Sequence, residues 1–387
     1  MGYRKGECRF SGEDTTDPGK ETSASTLEDE NSDACKMHTN TRSAYIAIIG
    51  MAGRFADSTN LEEFWSHLRA GESCIKVIKR WRTHSGPEDS PTALGTWGGM
   101  LEQIDQFDPL FFGISPLEAA RMDPQQRIFL QDAYRVFEDA GYCAEQLAEK
   151  KVGVFVGARA GDYKEQVLRR ESGSALNAHL FLGNDMAVLA ARVSYFFNLA
   201  GPSVTIDTAS SSSLVAIHLA CESIHSGESA MALAGGVFVM SSPEYTLMAE
   251  KTQMLSPDGK CKAFAKNANG IVIGEGVGAI LLKPLETAIK DRNHIYGVIK
   301  GSAMNQDGRT QGMTAPSLRA QRALLSDLYT KTGIHPETIS YIEAHGTGSK
   351  LGDPIWRTIV SHLTSPSIHF TPLLGRISHN KNTLHSL

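Results

Sequence analysis

A mostly buried mixed sheet sandwiched by helices, an α/β architecture, is what three observations in the 387-residue chain predict. Order opens on a strand followed by a helix. The same alternation of apolar runs and helically spaced segments then returns as far as Met240. Finally, 41% apolar residues over this length are enough for a large core, and two or three domains fit within it.

The elements follow in order. Residues 1–43 are rich in Glu, Asp, Ser, Thr and Gly and nearly free of aliphatic side chains, so burial cannot offset their chain entropy. A disordered leader or interdomain linker is expected there. Tyr45-Ile46-Ala47-Ile48-Ile49-Gly50-Met51-Ala52-Gly53 is an apolar run closed by glycines and reads as a buried strand entering a turn. Leu61 to Leu68 has apolar residues three and four apart, a helical spacing. Strands are then expected at Val152–Gly157, Ser203–Asp207 and Met231–Met240, with helices at Met186–Phe197 and Leu214–Ile224. Gly278–Leu282 and Ile295–Ile299 are apolar runs at hairpin distance; Ala320–Leu328 is helical and Ile339–Ile342 strand-like. Ser365 to Leu387 is polar, His-rich and weakly periodic, an interrupted element.

Composition excludes several classes of function. With 38 basic and 43 acidic residues and a net charge of −5, the chain offers no excess positive field to a nucleic acid or an anionic membrane. Its 6 cysteines lie far apart, in neither a C-x-x-C pair nor a disulfide framework, which fits a reducing, cytoplasmic setting. The first residues lack an apolar h-region, and Gly6 stands where a myristoylation signal needs Ser or Thr. The longest apolar stretch, around Met231 to Met240, falls well short of the roughly 20 residues that cross a bilayer. A soluble protein without a membrane partner is expected.

Chemistry is most concentrated in Val204 to Leu219, where a strand runs into Ser210-Ser211-Ser212-Ser213 and then into a helix apolar on nearly every face. Such a helix is expected to be buried. Its first turn would present unpaired N–H groups and a positive dipole end to whatever lies in front, where a nucleophile or an oxyanion gains most. The alternative is that the serines only cap the helix.

Asp207-Thr208-Ala209-Ser210-Ser211-Ser212-Ser213-Leu214 resembles the nucleophile motif of the β-ketoacyl synthase (ketosynthase) domains of bacterial-type modular type I polyketide synthases, with Ser210 where the family has Cys. The resemblance continues in the family's order through Phe107-Asp108-Pro109, Met122-Asp123-Pro124-Gln125-Gln126-Arg127, Ser256-Pro257-Asp258-Gly259, Gly274-Glu275-Gly276, Asn305-Gln306-Asp307-Gly308 and Glu343-Ala344-His345-Gly346-Thr347-Gly348, covering Tyr45 to about Pro354. It implies a thiolase-like layered αβαβα fold, with residues 44–300 as the N-terminal half and 301–387 as the start of a truncated C-terminal half. A homodimer paired near the Ser203–Asp207 strand is also implied. Such enzymes take an acyl group from a phosphopantetheine thioester on acyl carrier protein. They then condense it with a malonyl unit by decarboxylation, two histidines assisting. No tightly bound cofactor is implied. His345 matches the first histidine, and Thr347 and Ser349 stand where the family contacts the pantetheine arm. His218, Glu343 and Asp353 are given no chemistry; His218 is expected to be a core histidine with a hydrogen-bonded ring.

The departures bear on mechanism. A thiol at a helix N-terminus can fall from a pKa of ~8.5 into the range of about 3.5 to 7.5, whereas a serine hydroxyl there stays protonated and needs an adjacent base. Thr208 and Ser212 occupy the glycine positions of a hydrolase nucleophile elbow, which makes a serine hydrolase a poor reading. Cys221, eleven positions along the helix, is roughly 16 Å away and cannot substitute. With Gly375 and Asn380 in register, Ser378 falls on the family's lysine and Thr383 on its second histidine, while His379 or His385 enter only by a shift; Ala265 stands where aspartate is usual. Two readings remain: a ketosynthase whose condensation is impaired by Ser210, and a non-elongating module that binds carrier protein and acyl chain. With the closing strands of the family's C-terminal half missing, poor autonomous solubility is predicted; a monodisperse, cooperatively melting preparation would contradict it.

Overall fold

The computed structural model describes residues 45–81, 97–171, 177–312, 315–363 and 369–372. The leader expected over 1–43, and Gly375, Ser378, His379, Asn380, Thr383 and His385, lie outside the described residues. In chain order the elements are β1 (Ile46–Phe55), α1 (Leu61–Ala70), β2 (Lys76–Val77), β3 (Trp97–Gly99), α2 (Pro116–Ala119), α3 (Pro124–Asp139), α4 (Ala144–Leu147), β4 (Val152–Ala158), α5 (Tyr163–Arg170), α6 (Ala178–Asn184), α7 (Met186–Phe197) and β5 (Ser203–Ile206). After these come α8 (Ser212–His225), β6 (Met231–Phe238), α9 (Glu244–Lys251), β7 (Ile273–Gly274), β8 (Gly276–Pro284), α10 (Leu285–Lys290), β9 (Gly297–Ile299), α11 (Leu318–Thr332), β10 (Tyr341–Ala344), α12 (Gly352–Leu363) and β11 (His369–Pro372).

The main sheet has the order β5-β4-β6-β8-β1-β9. β4 runs parallel to β5 and β6, whereas β8 and β1 are antiparallel to their neighbours. Alternation along each strand divides the core in two. Val152, Val154 and Val156 of β4, with Leu233 of β6 and Leu281 of β8, face α3 and α7, where Phe129, Phe137 and Phe197 are fully buried. Burying each of those rings stabilises the fold by about 1.5–3 kcal/mol. Phe155, Ala232, Ala234 and Leu282 face the other way and pack on Ala216, Ala220, Cys221 and Ile224 of α8. Helices therefore cover both faces of a mixed sheet, as the sequence predicts.

Local sequence accounts for the helix ends. Asn60 accepts the Glu63 N–H at 2.9 Å to start α1, which closes at Gly71 in the left-handed conformation. Asp185 accepts the Ala187 N–H at 2.8 Å to start α7, and Asn198, at φ 51°, ends it.

Several expectations need correction. The runs at Gly278–Leu282 and Ile295–Ile299 do not pair as a hairpin: β8 and β9 lie on opposite edges of β1. Helix α10 occupies the connection, and β1 supplies both partners' hydrogen bonds. α8 is buried on one face only; Leu214 is 59% exposed, because among the described residues only the sheet side packs on it. Within the weakly periodic tail, His369–Pro372 forms β11 through parallel pairing with β10, a tertiary partner that local periodicity does not reveal. The most buried helix, α3, has no clean apolar signal, since Gln125, Gln126, Arg127 and Asp132 are all buried in it.

Those polar residues serve as ties between segments. Gln125 donates to Arg159 O at 3.0 Å and accepts the Val239 N–H, joining the loops that follow β4 and β6. Gln126 donates to Leu182 O and Asp185 O, and Arg54 donates to Asp132 through Nε at 2.7 Å. Gln125 and Gln126, satisfied in this way, fix geometry, whereas Arg127 Nε and Asp132 Oδ1 are buried without a hydrogen-bond partner among the described residues.

Gly157 and Gly236 let α8 approach the sheet. A Cβ on Gly157 would sit 2.4–2.7 Å from backbone atoms of Ser212 and Ser213, and one on Gly236 would sit 2.8 Å from Ser213 Cβ. Gly157→Ala therefore overpacks against backbone, and the expected loss is about 1–3 kcal/mol, read as a lower thermal midpoint. An unchanged midpoint would show that α8 is not seated as described.

Candidate functional site

The strand-to-helix turn after β5 is built by its own side chains. Asp207 Oδ1 accepts the Ala209 N–H at 2.9 Å, and Ala209 takes the left-handed conformation at φ 55°. Such a conformation costs a side-chain-bearing residue about 1–3 kcal/mol and persists only where the surroundings over-determine it. Ser212 Oγ accepts the Thr208 N–H at 2.8 Å and donates to Ala209 O at 2.7 Å, while Ser211 Oγ donates to Thr208 O at 2.9 Å. The serines thus close the turn on its upstream side. None caps α8, whose N-cap Ser211 accepts no backbone N–H. The capping alternative is set aside by this pattern, and the first-turn N–H groups of α8 remain free of side-chain caps.

Ser210 sits on the short 3₁₀ turn of Ala209–Ser211, exposed, and makes no side-chain hydrogen bond among the described residues. No base is therefore in hydrogen-bond reach of its hydroxyl among them. Neither available thiol near this region is ionised at neutral pH. Burial pushes Cys221 up to about 11; burial and the Asp353 carboxylate push Cys261 to about 11 as well.

His345, Thr347 and Ser349 share the loop after β10. Thr347 donates to Ser349 Oγ at 3.1 Å, and Ser349 Oγ accepts the Gly352 N–H at 3.1 Å, so both hydroxyls are held on one turn. Gly348, at φ 70°, lies against Gly270 O, Lys262 N and Cys261 Sγ, with its own carbonyl accepting the Gly270 N–H. Asp353 Oδ2 accepts the Phe264 N–H at 2.6 Å. Segment 261–270 is thereby the platform on which the His345 loop rests. His345 keeps solvent access, yet partial burial lowers its pKa below the ordinary 6.5 and the Asp353 charge opposes that only in part.

Among the described residues no hydrogen bond joins Ser210 to the His345 loop. His218 behaves as a packing histidine, its Nδ1 2.8 Å from Ser302 Oγ. Glu343 contacts the Tyr341 hydroxyl, and Asp353 holds a backbone N–H, so both acids have structural partners. Sequence reasoning missed the roles of Gly157, Gly236 and Ala209. Gly157 near the end of β4 and Gly236 within the apolar run of β6 were a usable signal for close approach; the φ of Ala209 had none. Among the described residues no group of three or more His, Cys, Asp or Glu is placed to hold a metal, and no helix is long and apolar enough to cross a membrane.

Comparison with known proteins identifies the family. The β-ketoacyl synthase N-terminal domain matches residues 43–288, and the C-terminal domain matches 296–365. Polyketide synthase PksL of Bacillus subtilis (strain 168) is 49% identical over 316 residues, 80% of this chain but 7% of that protein. Polyketide synthase GfsA of Streptomyces halstedii is 44% identical over 315 residues, 80% of this chain and 4% of the relative. This chain thus spans a small part of the length of these relatives. The ketosynthase from module 6 of the bacillaene synthase of Bacillus subtilis 168, in a cysteine-to-serine form, superposes with a TM-score of 0.78 at 46% identity, over 86% of this chain and 57% of that one. The oxazolomycin ketosynthase domain OzmH KS7 of Streptomyces albus JA3453 gives 0.79 at 37% identity, over 86% and 59%. The fold is that of these ketosynthases, thiolase-like, and the chain belongs to the β-ketoacyl synthase family.

Proposed function

We propose that this chain recognises acyl thioesters on the phosphopantetheine arm of an acyl carrier protein and condenses them poorly. The observation that carries the reading is Ser210. It stands exposed on a strained turn at the foot of α8, where helix N–H groups can receive an oxyanion, yet no base is in hydrogen-bond reach among the described residues. A thiol in that field would ionise; a hydroxyl does not. Acyl transfer to Ser210 is therefore slow, and the decarboxylative Claisen condensation that follows acylation is impaired. His345 assists the malonyl step, and Thr347 and Ser349 contact the pantetheine arm. No tightly bound cofactor takes part.

A homodimer paired along β5 belongs to the same reading. It is supported by the edge position of β5 and the exposure of Val204 on it, with Tyr195 90% exposed nearby in sequence on α7. The second reading, a non-elongating module that binds carrier protein and acyl chain without covalent transfer, is favoured by the same unpartnered hydroxyl. A soluble, cytoplasmic setting is proposed with either.

Intact mass after incubation with an acyl-pantetheine thioester separates the two. Slow, partial acylation confined to Ser210 is expected; complete absence of adduct leaves pure binding, and rapid stoichiometric acylation overturns impairment. Ser210→Cys is expected to raise the acylation rate by about 10²-fold or more, the range that activation by a base or ionisation supplies; no increase would place the lesion elsewhere. In an NMR titration the His345 ring should take up its proton below pH 6.5, and Asp353→Asn should move that midpoint lower still, since the carboxylate is what raises it. A midpoint above 6.5 would show that burial does not dominate at this ring.

A further inference from the structure

We propose that Asp207 is a positioning residue for acyl transfer: it holds Ala209 in the left-handed conformation, and that conformation aims the side chain of residue 210 at the first turn of α8. The inference rests on the thioester reading above and deepens it by naming the residue that sets reactivity at position 210.

Both ends of the turn are fixed from outside it. β5 pairs with β4, Ile206 opposite Gly157, and α8 is seated on Gly157 and Gly236. Residues 207–211 are left to join them, and Ser210 directly precedes Ser211, the N-cap of α8. At φ 55° Ala209 is turned by roughly 120° from the φ of about −63° of a right-handed helix. Relaxing that one torsion while both ends stay in place carries residue 210 to a different side of the helix start.

The torsion relates the peptide groups on either side of Ala209, and side chains hold both. In the peptide before it, Asp207 Oδ1 accepts the Ala209 N–H at 2.9 Å, and Ser211 Oγ donates to Thr208 O at 2.9 Å. In the peptide after it, Ala209 O accepts the Ser212 hydroxyl at 2.7 Å and the Ser212 N–H. Ser212 is buried and also accepts the Thr208 N–H, so it braces the helix start as well as the turn. Asp207 is exposed and grips the turn through the bond to the N–H two residues on, an Asx turn. The field of the N–H groups and dipole of α8 falls off within one turn, so a nucleophile gains from it only when aimed at it. Orientation at residue 209 therefore sets reactivity at residue 210.

The test uses the full chain carrying Ser210→Cys and reads the pH midpoint of iodoacetamide alkylation at residue 210 by peptide mass. A midpoint well below ~8.5, the value of a free thiol, is expected. Asp207→Asn, whose amide oxygen can accept the same N–H, should keep it low. Asp207→Ala, with the same loss of charge and no acceptor, should raise it by about one pH unit above Asp207→Asn. Asp207→Ser makes the same bond more weakly, should fall between the two, and serves if the alanine variant does not fold. Ala209→Gly added to Asp207→Ala should bring the midpoint part of the way back, because glycine takes a positive φ without a Cβ penalty. A role confined to fold stability would leave all these midpoints unmoved. Equal midpoints for the asparagine and alanine variants, no recovery with Ala209→Gly, or a starting midpoint at ~8.5 overturns the inference. Calorimetric titration of octanoyl-pantetheine into the same chains tests the thioester reading separately: no binding, with the alkylation differences present, overturns that reading and leaves Asp207 as the residue that orients position 210.

Discussion

The contact between the foot of α8 and two side-chain-free strand ends is the constraint on which the site depends. Gly157 and Gly236 bring the backbone of Ser212 and Ser213 to within a Cβ's width of the sheet, and that proximity fixes where the helix begins. The chain must then turn sharply between β5 and α8. It does so by placing Ala209 in the left-handed region, with Asp207, Ser211 and Ser212 as internal braces. Strain at this point is sustained by the burial of Ala216, Ala220, Cys221 and Ile224 further along the same helix.

A second layer of support is polar. Buried amides rarely stabilise a core for their own sake, but the side chain of Gln125 ties the segment after β4 to the segment after β6, and the Glu275 carboxylate does comparable work from β8's side. Glu275 is fully buried and accepts from Arg80 and from the N–H groups of Leu101 and Met240. The segments after β4 and β6 are therefore anchored by groups whose partners are all satisfied, which holds them rigidly. Nothing in this anchoring depends on the atom at the tip of residue 210.

The electrostatics at that tip set the chemistry. A helix start favours negative charge, so it rewards a group that can ionise near neutral pH and does little for one that cannot. In the proposed reading, the hydroxyl of Ser210 lacks that ionisation, while the field remains for a carbonyl oxygen that becomes negative during transfer. Both thiols discussed above are raised by burial, so neither compensates. His345, whose pKa is lowered by burial, rests on its platform of residues 261–270 and belongs to another loop.

By itself the sequence determined what depends on local pattern. The continuous apolar runs of β1, β4 and β6 and the capped 12-residue helix α7 are read directly, because period and end-signals are local properties. The motif around Ser210 and the His345-Gly346-Thr347-Gly348 string identify the family from residue order alone. Tertiary structure decided everything that depends on who packs against whom. It inserted β1 between two runs that look like a hairpin, and it buried the polar start of α3, because long-range partners satisfied Gln125 and Gln126. It left Leu214 exposed on a helix that is apolar all round, and it gave His369–Pro372 a strand partner. The strained φ of Ala209 belongs to the same class: no residue preference announces it, and only a helix pressed onto two glycines requires it.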